Sequence, residues 1–146
     1  MMKIAIVVSR FNEEVTSRLL ASCLKTLRSK GWRNSRLKVV HVPGGYEIPW
    51  AAAELARTGR YSVVVTLGCV LKGQTPQNDH ISSSLVNSLH QISLATRVPV
   101  ILGVLTPNTW KQAMARTRGA LDRGREAALA ALEMAALKKE INHGKA

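Results

Sequence analysis

Four short runs of apolar, largely β-branched residues constrain this chain more than anything else in it. They cover residues 3–9, 36–42, 61–71 and 98–106. Each has the length of a strand, and polar residues interrupt them little, which is the pattern of strands buried on both faces. Between them the period changes. Over residues 13–30, Val15, Leu19, Cys23, Leu24 and Leu27 fall on one helical face. An alanine-rich stretch at 49–58 follows the second run, with Pro49 tolerated in its first turn. Residues 77–97 place Ile81, Leu85, Leu89 and Ile92 on one side. Pro107-Asn108-Thr109 opens a helix to about residue 118, and a last helix spans 122–139 before residues 141–146 fray.

Runs of this kind separated by helices demand a parallel sheet covered on both faces. The expected fold class is α/β: a three-layer sandwich around a four-stranded parallel sheet, flavodoxin-like. At 146 residues and 15.9 kDa the chain makes one domain, residues 1–146. The apolar runs at 4–8 and 98–105 fall far short of the roughly 20 residues a membrane span needs. A charged segment from Arg10 follows the first run at once, which does not suit a secretory leader. Cys23 and Cys69 stand alone in apolar surroundings, as buried free thiols of a reducing compartment do. The expected location is the cytoplasm.

Lysine and arginine number 21 against nine acids, a net charge of +12. Such a balance favours anionic partners. The segment 25–38 is basic throughout, but apart from Trp32 it has no interleaved aromatics of the kind that stack on bases, so nucleic acid is the weaker reading. His41, His80, His90 and His143 form no ligand-spaced cluster, so no metal is expected.

Ligands of an open parallel sheet bind beyond the carboxyl ends of its strands. Here those ends lead into Ser9-Arg10-Phe11-Asn12, Val42-Pro43-Gly44-Gly45-Tyr46-Glu47-Ile48-Pro49, Lys72-Gly73-Gln74-Thr75 and Thr106-Pro107-Asn108. Gly73-Gln74-Thr75 runs straight into a helix. It either offers free N–H groups to an anion or is a helix start capped by Thr75 or Asn78. Phe11 is placed either to stack on a planar heterocycle or to half-bury itself in its loop. Glu47 serves either ligand hydroxyls or the helix dipole. The glycine fingerprints of nucleotide-binding loops are absent.

Together these loops, with Leu67-Gly68-Cys69-Val70-Leu71 and Glu133-Met134-Ala135, resemble the lumazine synthases in order and spacing over nearly the whole chain. The resemblance implies condensation of 5-amino-6-(D-ribitylamino)uracil with 3,4-dihydroxy-2-butanone 4-phosphate, without metal or cofactor. The implied assembly is a pentamer or multiples of it, with sites between neighbouring subunits. By resemblance, Phe11 lies against the pyrimidine and Asn12 supports its loop. Tyr46, Glu47 and Ile48 hold the ribityl chain. Cys69, Val70 and Leu71 meet the uracil through their backbone. Gln74, Thr75 and Arg116 bind the phosphate.

Departures from the family pattern fall at Gln77, where the family has histidine, and at Asn78 and Leu102, where it has aromatics. Leu102 stands where a neighbour's aromatic would complete the substrate site. Glutamine cannot shuttle a proton near neutral pH. His80, three residues on, lies about one helical turn away and is the expected stand-in. The chain also begins close to its first core strand, so no extra N-terminal strand is expected to join a neighbour's sheet. Two rivals share the pattern: an archaeal-type riboflavin synthase, and a non-catalytic shell or ligand-binding relative.

Overall fold

All six residues of strand β1 (Ile4–Ser9) are buried, and so are all seven of β3 (Val63–Cys69). The computed structural model, which describes residues 1–144, shows why. The sheet order is β2-β1-β3-β4, with β2 (Leu37–Val42) and β4 (Val100–Leu105) at the edges, and every pair is parallel. The central strands are covered on both faces, so neither can carry alternating polar residues. The edge strands, covered less completely, can admit Lys38 and His41.

Alternation along β1 divides the two helical layers. Ile4, Ile6 and Val8 face α1 (Glu13–Ser29) and α5 (Arg123–Asn142). Ala5 and Val7 face α2 (Ile48–Arg57) and α3 (Gln77–Thr96). The expected three-layer sandwich is thus the observed fold. A short helix, α4 (Trp110–Ala115), capped by the Thr109 hydroxyl accepting from Gln112 N–H at 3.1 Å, leads from β4 toward α5.

Several element ends differ from the sequence expectation. Strand β3, Val63–Cys69, is two residues shorter at each end, although Ser62 N–H still bonds to the Lys3 carbonyl and Val70 N–H to the Leu105 carbonyl. Helix α4 stops at Ala115 rather than near residue 118. The Thr117 hydroxyl bonds back to the Met114 carbonyl (2.7 Å), and Arg123 N–H takes the Arg116 carbonyl (2.8 Å). Helix α5 starts after Asp122, whose carboxylate accepts from Arg125 N–H, and runs past the expected end to Asn142. The fraying expected from residue 141 is therefore not seen at 141 and 142; residues 145 and 146 lie outside the described part.

Helices α1 and α5 approach closely at Gly124. A Cβ there would collide with the backbone of Leu19 in α1. Backbone cannot swing aside as a side-chain tip can. Gly124→Ala is therefore expected to destabilise by about 1–3 kcal/mol despite alanine's better helix propensity, read as a lower midpoint in urea. An unchanged midpoint would show that the helices can part at no cost.

Both thiols are buried and free. Burial, helped by the charge of Asp122, pushes the Cys23 thiol up to about 12, and burial alone lifts Cys69 to about 11. Neither forms the thiolate a nucleophile needs at neutral pH. Both are expected to react with a maleimide only as fast as the chain opens. Because the folded state holds these protons more tightly than the unfolded one, their contribution is whole below pH 9 and falls as pH rises toward 12.

Candidate active site

The three loops after β1, β2 and β3 are tied to one another at the carboxyl end of the sheet. Arg10 N–H donates to the Val42 carbonyl at 2.8 Å and Phe11 N–H to Pro43 at 2.9 Å. Asn12 turns the chain in the left-handed conformation (φ 61°), which asparagine tolerates better than most residues. Its side-chain amide donates to the Cys69 carbonyl at 3.0 Å, fastening the first loop to the end of β3. Gly45 lets the second loop lie against Val70, since a Cβ there would sit 3.0 Å from a Val70 methyl.

Between these loops and the start of α3 lies a cavity of about 330 Å³. Phe11, Asn12 and Tyr46 line it from the first two loops. Cys69, Val70, Leu71 and Thr75 line it from the third, and Gln77 from the first turn of α3. Phe11 and Tyr46 are 70% and 72% exposed, so the rim holds two aromatic surfaces uncovered by the chain's own core. Of Cys69, Val70 and Leu71, at and just past the end of β3, two have main-chain groups in use: Cys69 carbonyl accepts from Asn12 and Val70 N–H donates to the Leu105 carbonyl. Leu71 is the one not drawn on by these bonds.

The start of α3 is built for an acceptor. Pro76, not Thr75 or Asn78, is the N-cap, and no side chain caps the helix in the usual way. The Thr75 hydroxyl lies a long 3.5 Å from Gln77 N–H. Asp79 and His80 N–H already donate to the Pro76 carbonyl, at 3.1 and 3.2 Å, so the Gln77 and Asn78 N–H groups are the ones that remain for an incoming anion.

Six sequence candidates do not line this cavity. Ile48 is fully buried in the core between the sheet and α2, and its N–H already bonds to the Gly45 carbonyl, so its side chain packs away from the cavity. Glu47 is half-buried, one carboxylate oxygen accepting from Gly44 N–H at 2.9 Å. Gln74 is exposed on its loop. Leu102, 45% exposed, stands on the edge strand β4. Arg116, half-buried, caps the end of α4. His80 is exposed and turned away.

Helix geometry accounts for His80. At about 100° per residue, Gln77, Asn78 and Ile81 span one arc, while His80 lies about 60° beyond Gln77 on the other side. Asn78 and Ile81 are the lining residues that sequence reasoning missed. The signal for Ile81 was there, four residues after Gln77 on the same face. Asn78 has the more informative surroundings, because its side-chain amide oxygen Oδ1 is buried without a hydrogen-bond partner. An unmet acceptor beside a cavity is a place for a donor on a ligand.

An aromatic rim, a strand-end backbone and a helix start can hold a planar heterocycle beside an anionic group. Comparison with known proteins narrows this. The family model for 6,7-dimethyl-8-ribityllumazine synthase matches residues 1–139. A protein of Salinibacter ruber (strain DSM 13855 / M31) named 6,7-dimethyl-8-ribityllumazine synthase is 48% identical over 140 residues, covering 95% of this chain and 90% of that protein. With the match running through every loop that builds the cavity, the chain belongs to the 6,7-dimethyl-8-ribityllumazine synthase family.

Proposed function

We propose that this protein condenses 5-amino-6-(D-ribitylamino)uracil with 3,4-dihydroxy-2-butanone 4-phosphate to give 6,7-dimethyl-8-ribityllumazine, a step of riboflavin biosynthesis. The observation that carries this reading is one cavity holding both Phe11 and the uncapped start of α3. The pyrimidine lies against Phe11, and the phosphate sits at Thr75 and the first-turn N–H groups, with Gln74 closing over it. Asn12 fixes the loop. Tyr46 and the free carboxylate oxygen of Glu47 take the ribityl hydroxyls.

In the reaction the 5-amino group attacks the ketone, and loss of water leaves an imine. A proton leaves the neighbouring carbon as phosphate departs from the next. The resulting enol becomes a ketone, which the ribitylamino nitrogen attacks, and a second water leaves as the ring closes. The chain's contribution is to hold two reactants in register, which alone is worth several kcal/mol of barrier. Gln77 orients by hydrogen bonding and moves no proton.

Leu102 and Arg116 lie outside the cavity of their own chain. We propose that they complete a neighbour's site in a homopentamer or a multiple of it. No described helix is long and apolar enough to cross a membrane, and two protonated free thiols suit the cytoplasm.

The test mixes both substrates and follows lumazine absorbance together with phosphate release. Saturable turnover above the spontaneous rate is expected. No acceleration would make the protein a non-catalytic relative, and riboflavin formed from lumazine alone would make it a riboflavin synthase.

A further inference from the structure

A parallel sheet sends every strand start, and the helix ends that precede them, to one pole of the molecule. Here that pole is opposite the cavity, and it gathers much of the basic charge. A cleft of about 580 Å³ lies there, lined by Arg36, Arg60, Lys138, Lys139 and His143 around the main chain of residues 59–62. No aspartate or glutamate lines it. Arg28 in the last turn of α1 and Lys30 and Arg33 on the α1–β2 connection flank it, and Arg57 and Arg97 stand at the ends of α2 and α3. Among the described residues there are three ion pairs, Arg18–Glu14, Arg57–Glu54 and Arg123–Glu126, so Arg57 alone of this group has a carboxylate partner.

Arg36 is held in place. Its Nε donates to the Met2 carbonyl at 2.8 Å and its guanidinium lies 4.0 Å from the centre of the Trp32 ring. Its terminal nitrogens are therefore presented without the usual loss of side-chain freedom.

We propose that this pole binds the phosphodiester backbone of nucleic acid without sequence preference. The helices end here, so they offer carbonyls and no cradle of N–H groups for a single phosphate. Spread cations on side chains suit a polyanion with charges at intervals. Trp32 is nearly buried and Tyr61 half-buried, so bases find no platform to stack on. The basic segment without aromatics, which counts against base stacking, is what backbone contact requires. The proposal does not rest on the catalytic reading.

Fluorescence anisotropy with short labelled DNA duplexes of two unrelated sequences tests it. Both should bind equally. With about four phosphate contacts, affinity should fall about 100-fold between about 50 and 200 mM salt. The triple variant Arg60→Ser, Lys138→Ser, Lys139→Ser should flatten the log–log salt slope by about 2.7. A control with the same loss of charge at the opposite end, Lys111→Ser, Arg118→Ser, Arg125→Ser, should bind like the original chain. Circular dichroism melting confirms that both variants fold. Equal loss in the control would overturn the proposal, as would no binding at low salt. Tighter binding of poly-glutamate would replace nucleic acid by an acidic protein, and one-to-one competition by inorganic phosphate would replace it by a small anion.

Discussion

Arg116→Ala is expected to raise the apparent KM for the butanone phosphate about 10- to 150-fold, the effect of losing one charge-assisted hydrogen bond of about 1.5–3 kcal/mol. KM for the aminouracil should stay nearly unchanged. The variant should fold, because the turn at this residue is held by main chain: Arg116 N–H bonds to Ala113 at 3.1 Å and its carbonyl accepts from Arg123 at 2.8 Å. The side chain makes no ion pair with a described carboxylate, so removing it strands no partner. Thr75→Ala should act in the same direction by a smaller amount, since a neutral hydroxyl contributes about 0.5–1.5 kcal/mol. A shift in phosphate affinity without a shift in heterocycle affinity separates a binding residue from one that merely shapes the cavity. Equal effects on both substrates would remove Arg116 from the phosphate site.

The fold was legible in the sequence because its signal is one-dimensional. The apolar runs of β1 and β3 report two-sided burial, and the loops after them fall at the carboxyl end of any parallel sheet. Phe11, Asn12, Tyr46 and Thr75 could be placed on one rim from connectivity alone. What was not legible depends on competing hydrogen bonds and on angle. Helix α4 ends early because Thr117 folds back on Met114, which no apolar period records. Ile48 follows two residues of the binding motif but is the first residue of α2, and its side chain turns into the core. The pole of positive charge is scattered through the sequence over several connections and becomes one surface only when the strands lie parallel. His80 does not line the cavity, because residues three and four apart count as one face on paper yet differ by about 100°.

Gln77→His is therefore expected to speed the reaction, and His80→Ala to leave it unchanged. Gln77 lines the cavity beside Thr75, while His80 is exposed and does not. The reaction must remove a proton next to the imine as phosphate leaves, a step a glutamine amide cannot assist. Positioned general acid–base help is worth about 10²–10⁴-fold, and a histidine set into a site not tuned for it should deliver the low end, about 10²-fold in kcat. KM for either substrate should move little, because the new group acts after both are bound. The substitution should also bring a pH dependence that the original chain lacks. An imidazole with an ordinary value near 6.5 acts as a base only above it, so kcat of the variant should rise through that value and then level. Single-turnover rates across this pH range, with both substrates saturating, separate the outcomes. A flat profile with no gain would mean that positioning alone sets the rate and that the proton leaves to water. A tenfold loss in His80→Ala would mean that the start of α3 rotates on binding to bring that side chain inward.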